Sequence, residues 1–376
     1  MIAVAHYHPA RCRRAYVVAA VLVAAVTIAA PATAQMPLPD TPEAFGMVLK
    51  SWAARHQVNQ TFIVVRHNGR VVYRSAVGGA DPTAAVHLAS LSKAITGACI
   101  ATLIRDGKLS FDTPMSLALA KFIANHGRPG DQRFARVTVA QLLTHRAGFG
   151  TKKMDPGSGP ELVAYLKTNS ARARPNPAFL AWALNQNLVS EPGTKFIYSN
   201  TGYLALGAVI EEATGKRYAP YCREAVLAPL GVAGELDPNW RVMWSYGGWR
   251  MTADDYLTFL DLFDAEDRKL GANVKSWMLE PPYKTAEVEN ESWYGLGTFV
   301  RKSGNGVSVR HFGSWAYNTM GKDGPLKTSL LTLAVRQSDG TAWFVYVSPR
   351  PPAVGRPGME LERELLAAYR GVMKWN

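Results

Sequence analysis

Cysteine is scarce in this sequence, and its scarcity excludes two classes of protein. The 376 residues include three cysteines, Cys12, Cys99 and Cys222. Three are too few for a disulfide framework, and their spacings match no zinc or haem signature. We therefore expect Cys99 and Cys222 to be thiols buried in the core.

Charged residues are also few, at 19% of the chain against 48% hydrophobic residues. This balance excludes a disordered chain, a collagen and a multispan membrane protein. The formal net charge is +13, but Lys and Arg are scattered, with the densest cluster at Arg172 and Arg174. Because no nucleic-acid recognition motif accompanies them, we expect a solvated basic surface and no nucleic-acid partner.

Several common catalytic and metal-binding motifs are missing from the sequence. It contains no G-x-S-x-G, no P-loop, no G-x-G-x-x-G and no H-E-x-x-H. The histidines are far apart and lack the spacing of metal ligands; they include His56, His67, His87, His126, His145 and His311. We therefore expect neither a metal site nor a cofactor.

The N-terminal residues have the pattern of an export signal. A basic stretch at 11–14 precedes an uncharged run at 15–30, and Ala-Thr-Ala follows at 32–34. We expect cleavage after Ala34, which leaves one domain over 35–376 in the periplasm or the medium. An uncleaved anchor is the alternative, but the run is shorter than the roughly 20 residues that a membrane span needs. We expect no stable membrane anchor.

Strand patterns occur near both ends of the remaining chain. Phe62–Arg66 and Val71–Ser75 flank Asn68-Gly69, a hairpin signal, and follow a predicted helix at Ala44–His56. Four further strands are predicted late in the chain, at Gly295–Arg301, Val307–Phe312, Leu330–Arg336 and Ala342–Val347, followed by a helix over Met359–Met373.

The residues between these two regions look helical. Residues 110–240 contain no convincing run of strands, and helical patterns occur at Val137–Thr144, Ala178–Asn187 and Gly202–Thr214. We predict an α/β (α+β) fold in which both chain ends share one antiparallel sheet flanked by N- and C-terminal helices, with an all-helical lobe at about 110–240. A site would lie in the cleft between sheet and lobe.

The first candidate for chemistry is Ser90-Leu91-Ser92-Lys93, at the start of an almost entirely apolar helix predicted over Leu88–Asp106. Ser90 and Lys93 are three residues apart and share a helical face, so the amine can reach the hydroxyl. A buried lysine with a lowered pKa can deprotonate a serine nucleophile. The alternative is a capping serine with a surface lysine, but a lysine on an apolar helix favours the catalytic interpretation.

The second candidate is Tyr198-Ser199-Asn200, which follows the turn Glu191-Pro192-Gly193-Thr194. A phenol near a lysine ammonium is stabilised as phenolate, so we expect Tyr198 to shuttle protons. Asn200 can bridge a lysine and a substrate amide, because its side chain both donates and accepts.

The third candidate is His311-Phe312-Gly313-Ser314, at the end of a predicted strand. Gly313 would let substrate lie against the strand, and the N–H groups of Ser314 and Ser90 could form an oxyanion hole. Two rival third motifs contain lysine, namely Lys322-Asp323-Gly324 and Lys327-Thr328-Ser329.

The order S-x-x-K, Y-x-N, [K/H]-x-G resembles the serine β-lactamase and penicillin-binding-protein superfamily. The nearest branch is that of class C β-lactamases, D-Ala-D-Ala carboxypeptidases and β-lactamase-fold esterases. The resemblance covers roughly residues 45 to 350 and extends to segments at 106–112, 142–148, 192–203, 211–216 and 247–255.

This resemblance implies a β-lactamase-like catalytic domain and a role for each motif. Ser90 would be the acylated nucleophile, with Lys93 and Tyr198 as the proton-transfer pair. Asn200 would contact substrate and the lysine, and His311 would be the base or substrate anchor of the third motif. His145 would be structural, although a triad with Ser90 is the alternative. Two features depart from the family: Phe312 stands where Thr is usual, and the turn Ser348-Pro349-Arg350-Pro351-Pro352 has no assigned role.

We therefore expect an exported serine hydrolase that cleaves a carboxylic ester or amide through a Ser90 acyl-enzyme. Phe312 has no hydroxyl for a substrate carboxylate, His311 can be neutral, and strand alternation directs Arg310 away. These features favour an esterase over an efficient β-lactamase. Five tryptophans would either wall an apolar pocket or belong to the core: Trp240, Trp244, Trp249, Trp293 and Trp315.

The alternative function is an exported penicillin- or peptidoglycan-binding protein with little or no turnover. The expected partner in both cases is a small-molecule or peptide-like substrate. The sequence does not indicate an oligomeric state.

Overall fold

The structure, a computed structural model, describes residues 37–150, 155, 176–280, 292–303, 306–321 and 324–375. The expected signal peptide over 1–34 lies outside the described residues, as do Lys322 and Asp323 of one rival motif. Residues Leu38–Asn376 form one compact unit.

Seven of the described strands form one antiparallel sheet in the order β2-β1-β10-β9-β8-β7-β6, and three short ones form a second sheet in the order β3-β5-β4. The strands are β1 (Gln60–His67), β2 (Arg70–Val77), β3 (Val86–His87), β4 (Glu235–Leu236), β5 (Trp249–Met251), β6 (Ser292–Gly295), β7 (Thr298–Ser303), β8 (Gly306–Gly321), β9 (Gly324–Arg336) and β10 (Ala342–Ser348). The early hairpin pairs with the last strand, from Gln60 opposite Ser348 to Arg66 opposite Ala342. Both ends of the chain therefore share one sheet, as predicted.

Helices cover both faces of this sheet. The α-helices are α1 (Glu43–Arg55), α2 (Ser92–Arg105), α3 (Met115–Ala118), α4 (Ala120–His126), α5 (Val139–Leu143), α6 (Asn176–Leu184), α7 (Asn200–Thr214), α8 (Tyr218–Cys222), α9 (Trp244–Gly247), α10 (Ala253–Phe259), α11 (Ala272–Leu279) and α12 (Pro357–Gly371). Shorter 3₁₀ or π turns lie at Ala89–Leu91, Gln132–Arg136, Arg223–Leu227, Ala228–Leu230, Pro238–Met243 and Leu260–Phe263.

The alternation of side chains along β1 separates two cores. Phe62 and Val64 face the core that contains α2 and the helical lobe. Ile63 and Val65 face a second core, built by the terminal helices α1 and α12. Because successive side chains of a strand point to opposite faces, a single strand serves both layers. The predicted α/β (α+β) fold class is confirmed.

The late strands differ in detail from the prediction. The strand predicted over Gly295–Arg301 is divided into β6 and β7 by a turn at Leu296 and Gly297, both with positive φ (51° and 84°). Strands β8 and β9 continue past the predicted ends as a long hairpin, from Gly313 opposite Thr332 to Gly321 opposite Gly324. A hairpin arm paired only with itself needs no alternating apolar pattern, which is why periodicity missed it.

The two-residue strand β4 lies inside the region predicted to be helical and pairs with β5. A strand of two residues is too short for a period-2 pattern to be seen in the sequence.

Cys99 and Cys222 are not thiols: the structure joins them in a disulfide, with Cα atoms 5.6 Å apart. Our expectation was wrong because the two residues are 123 positions apart in sequence, and only the packing of α8 against α2 brings them together. Among the described residues, no helix has the length and apolar character that a membrane crossing requires.

Candidate active site

Ser90 lies in a 3₁₀ turn, Ala89–Leu91, that leads directly into α2. The preceding Ala89 has a φ of 47°, in the left-handed region that non-glycine residues seldom adopt. Strained backbone of this kind clusters at functional sites. The turn leaves Ser90 half-buried at the edge of a cavity, while every residue from Ser92 to Ile104 of α2 is buried.

Lys93 is completely buried and lies beside Ser90. Its Nζ is 3.2 Å from Ser90 Oγ and donates to Asn200 Oδ1 at 2.6 Å and to the carbonyl oxygen of Tyr246 at 3.1 Å. Burial lowers the pKa of Lys93 well below its ordinary value, and the carboxylate of Asp155 opposes that shift. The alternative of a surface lysine is excluded, and the neutral amine that a general base needs is favoured.

Tyr198 completes this group, but in a different charge state from the one expected. Its side chain hydrogen-bonds that of Ser90, and Lys93 Nζ lies 4.8 Å from the centre of its ring. Burial nevertheless raises the pKa of Tyr198, with the Ser90 contact opposing the rise. The phenolate expected from the sequence is therefore disfavoured, because the loss of hydration outweighs the nearby amine.

The start of α7 presents Asn200 to the lysine. Ser199 caps the helix, accepting from the N–H of Gly202 at 3.1 Å. The buried Asp155 then accepts from the Ser199 hydroxyl at 2.6 Å and from the Asn200 N–H at 3.0 Å. Burial raises the pKa of Asp155, and these donors oppose the rise. Asp155 was not predicted from the sequence, because it belongs to no periodic pattern and only the folded chain brings it to the start of α7.

His145 packs against Tyr198 and binds the backbone of Ser199. It is buried with a φ of 56°, and its Nδ1 accepts a 3.1 Å hydrogen bond from the N–H of Ser199. Its ring centre is 4.3 Å from that of Tyr198. Burial lowers the pKa of His145 well below the ordinary range, and Lys93 adds to the effect. These contacts fit the structural role that the resemblance implies, rather than a triad with Ser90.

His311 faces the cavity as a neutral imidazole. Its Nδ1 donates to the carbonyl oxygen of Phe312 at 2.5 Å, so its Nε2 accepts from the hydroxyl of Tyr294 at 2.9 Å. Burial lowers the pKa of His311 to about 3, and Lys93 reinforces the shift. His311 therefore supplies no positive charge to a substrate near neutral pH.

The other residues of the third motif have different surroundings: Gly313 lies in the protein interior and Ser314 lies at the cavity. A Cβ on Gly313 would collide with the carbonyl oxygen of Leu88 and with Thr332 Oγ1, so its missing side chain makes room for the Ser90 turn rather than for substrate. Ser314 is exposed and lines the cavity. Arg310 points away, as predicted, and pairs with Glu362 on α12 at 2.5 Å.

Ser90, Tyr198, Asn200, His311 and Ser314 share a cavity of about 390 Å³. It is lined by Ala89, Ser90, Tyr198, Asn200, Trp240, Tyr246, Gly247, Phe299, His311, Phe312, Ser314 and Trp315. Of the five tryptophans, Trp240 and Trp315 wall it, with ring centres 5.5 Å apart. Trp249 is fully buried in the core. In the part of the chain that the structure describes, no cluster of His, Cys, Asp or Glu could hold a metal ion.

The rival motif at 327–329 lies on the hairpin arm, where Lys327 is opposite Asn318 and Ser329 opposite Ala316. Among the described residues, His311, Phe312 and Ser314 of the first candidate third motif line the cavity of Ser90.

The family follows from a match over most of the chain. A model of the Beta-lactamase family matches residues 47–323. The chain belongs to the Beta-lactamase family.

Two curated relatives each match part of this Beta-lactamase family chain. Penicillin-binding protein 4* of Bacillus subtilis is 27% identical over 190 residues, covering 47% of this chain and 38% of that protein. The putative fimbrial assembly protein FimD, serogroup D, of Dichelobacter nodosus is 34% identical over 131 residues, covering 35% and 29%. The match thus spans about a third of these relatives' own length.

Solved structures share the Beta-lactamase family fold at low identity. The penicillin-binding protein homologue from Pyrococcus abyssi has a TM-score of 0.66 at 21% identity, covering 87% of this chain and 77% of that one. A D-stereospecific amidohydrolase from Streptomyces has a TM-score of 0.66 at 19%, covering 86% and 97%. EstCE1, a hydrolase with promiscuous acyltransferase activity, has 0.65 at 16%, covering 85% and 98%. The resemblance read from the sequence is confirmed.

Proposed function

We propose that this Beta-lactamase family member is an exported serine hydrolase that cleaves a carboxylic ester or amide through an acyl-enzyme on Ser90. The observation that carries the proposal is the 3.2 Å contact between Ser90 Oγ and the Nζ of a fully buried Lys93. A serine hydroxyl is a weak nucleophile until a neighbouring base accepts its proton.

In the acylation step, Lys93 Nζ accepts the Ser90 proton while Oγ bonds to the substrate carbonyl carbon. The N–H groups of Ser90 and Ser314, on the same cavity, would hold the oxyanion that forms. When the tetrahedral intermediate collapses, the bond to the leaving oxygen or nitrogen breaks. Tyr198 donates its proton to the leaving group and accepts the proton held by Lys93. Tyr198 and Lys93 are therefore both neutral again after acylation.

Hydrolysis of the acyl-enzyme runs the same relay with water. Water loses a proton to Tyr198, whose own proton passes to Lys93, and the new hydroxide oxygen attacks the acyl carbon. Lys93 then returns the proton to Ser90 Oγ as the acid product leaves. A protonated Tyr198 beside a neutral Lys93 suits both acylation and deacylation, because Tyr198 can donate a proton and Lys93 can accept one.

Esters with apolar acyl groups are the substrates that the cavity favours. Trp240 and Trp315 form its wall, and His311 carries no charge to attract a carboxylate in the place of a lysine. We therefore place esterase activity ahead of efficient β-lactam hydrolysis.

Export is part of the same proposal. The signal pattern of residues 1–34 is supported by the disulfide between Cys99 and Cys222, because such bonds persist in oxidising compartments. Intact mass of the protein recovered from the periplasm or medium should begin at Gln35; a full-length cytosolic product would contradict export.

A fluorophosphonate probe tests the nucleophile. We expect wild type to gain one adduct by intact mass and Ser90→Ala to gain none, with Ser92→Ala as a control that still reacts. Turnover of p-nitrophenyl acetate should exceed that of nitrocefin. An unlabelled wild type would contradict the hydrolase and favour the binding protein with little turnover, and hydrolysis of nitrocefin alone would overturn the esterase preference.

A further inference from the structure

A groove of about 850 Å³ lies between helix α12 and the large sheet. Arg301 and Lys302 of β7 contribute to its sheet side, and residues 356–370 contribute to its helix side. Phe299 lines both this groove and the cavity that contains the nucleophile. The groove is therefore a second concave surface, next to the candidate active site, that the proposed reaction does not use.

Positive charge predominates in this groove. Six cationic side chains line it against two carboxylates, which leaves a net charge of +4. Both carboxylates already have partners, since Glu362 pairs with Arg310 at 2.5 Å and Glu360 pairs with Arg55 of α1 at 2.9 Å. The other arginines of the groove are exposed and form no ion pair with a described carboxylate: Arg301, Arg356, Arg363 and Arg370. An anion in the groove would therefore meet positive charges that the described carboxylates do not neutralise.

Three of these arginines form a row along the helix side of the groove. Arg363 and Arg370 lie on α12 seven residues apart, close to two helical turns, so both project from the same face. At 1.5 Å per residue they are separated by about 10 Å along the helix axis. Arg356, which immediately precedes α12, extends the row. A row of charges along a groove fits an extended polyanion better than one small anion, and a planar bilayer cannot enter a concave groove.

Neutral polar side chains of the sheet also line the groove. The hydroxyl of Ser308 donates to Gln337 Oε1 at 2.9 Å, and Ser303 Oγ accepts from the hydroxyl of Ser338 at 3.1 Å. A serine oxygen can accept a second hydrogen bond, and a glutamine amide has two N–H donors. These groups are suited to the hydroxyls of a sugar chain, whereas an inorganic polyphosphate has no hydroxyls along its chain to use them.

We propose that the groove between α12 and strands β7 and β8 binds an acidic polysaccharide, a chain of sugar rings that carries carboxylate groups. The arginines pair with the carboxylates, because a planar guanidinium binds a carboxylate through two parallel hydrogen bonds. Ser308 and Gln337 bond the sugar hydroxyls between the charges. The site holds a polymer beside the cavity, and binding there does not require any reaction at Ser90.

Binding of fluorescently labelled polygalacturonate, measured by anisotropy at about 0.15 M salt, tests this proposal. We expect the double variant Arg363→Gln/Arg370→Gln to weaken binding by about 10- to 100-fold relative to wild type. The slope of log K against log salt concentration should fall by about 1 to 2, because fewer counterions are released. Arg301→Gln, on the opposite wall, should weaken binding by about 3- to 10-fold.

The matched control is Arg70→Gln/Arg128→Gln, which removes the same charge from exposed positions on β2 and after α4. It should change the affinity by less than about threefold, since it alters only the long-range field. Thermal unfolding verifies that each variant is folded. Equal weakening by the two double variants would show general attraction to a basic protein and would overturn the proposal.

Competing polymers test the class of ligand. Polygalacturonate should bind more tightly than polyphosphate or a single-stranded oligonucleotide of equal charge, and uncharged dextran should not compete. Tighter binding of polyphosphate or the oligonucleotide would refute the polysaccharide, and competition by dextran would refute the role of the arginines.

The variant Ser90→Ala separates this proposal from the proposed hydrolase. It should bind polygalacturonate as wild type does, because the groove needs no nucleophile. A wild type that fluorophosphonate does not label would contradict the hydrolase and leave the groove as proposed. A labelled wild type that does not bind polygalacturonate would contradict the groove and leave the hydrolase as proposed.

Discussion

Asn200 Oδ1 accepts a 2.6 Å hydrogen bond from Nζ of Lys93, although the two residues are 107 positions apart. The carbonyl oxygen of Tyr246 is a second acceptor. These two hydrogen bonds orient the amine so that its third hydrogen-bonding position faces Ser90 Oγ. Burial and orientation of one lysine thus depend on two elements remote from α2.

Replacing Lys93 with methionine should abolish acylation. The change keeps an unbranched buried side chain but removes the base, so hydrolysis should fall by about 10²- to 10⁴-fold. Lys275→Met is the matched control, because Lys275 is also buried but donates to the carbonyl oxygen of Asp264 at 2.6 Å, away from the cavity. The measurement is the rate of fluorophosphonate labelling beside thermal unfolding; undiminished labelling of a folded Lys93→Met protein would contradict the proposal.

The pH profile should report the ionisation of Lys93. The active form is the neutral amine, so kcat/KM should rise with pH through the lowered pKa of Lys93. The Asp155 carboxylate raises that pKa, and therefore Asp155→Asn should move the acidic limb to lower pH. Asp254→Asn, which loses an exposed pair with Arg74, should leave the limb in place. A shift to higher pH in Asp155→Asn would show that the sign of this coupling is wrong.

Removing the Tyr198 hydroxyl should slow turnover while the nucleophile survives. In Tyr198→Phe the ring packing on His145 remains but the proton relay is lost, so kcat should drop by about 10²- to 10⁴-fold. Tyr203→Phe is the control, since that hydroxyl donates to the Leu143 carbonyl oxygen at 3.0 Å instead. Steady-state kinetics compare the two; similar losses in both variants would assign Tyr198 a packing role only.

Reduction of the Cys99–Cys222 disulfide should weaken the whole domain. The bond closes a loop of 123 positions and ties α2 to α8, so its loss should lower the free energy of unfolding by about 2–5 kcal/mol. Urea unfolding with and without dithiothreitol measures this, and the variant Cys99→Ala should no longer respond to the reductant. Two free thiols in the native protein, detected by alkylation and mass, would be the contrary result.

Local patterns predicted the parts of this site that depend on local geometry. Ser90 and Lys93 share a face because the helical repeat places residues three apart on one side, and β1 alternates between two cores because strand side chains alternate. The same reasoning directed Arg310 away from His311, where it meets Glu362.

Local patterns did not predict the features that depend on residues distant in sequence. Asp155, the Tyr246 carbonyl and the pairing of Cys99 with Cys222 each involve contacts between remote segments. The direction of the Tyr198 pKa shift was also missed, because the sequence contains the nearby lysine but not the degree of burial.

By itself, the sequence determined the sheet built from both chain ends and the order of the three motifs, since periodicity and spacing are local properties of the chain, and the resemblance of those motifs indicated the family. Only the tertiary structure decided which groups carry charge and which face the cavity. Packing against residues far away in sequence removes water from Lys93, Tyr198 and His311, and this loss of hydration lowers the pKa of Lys93 and of His311 and raises the pKa of Tyr198.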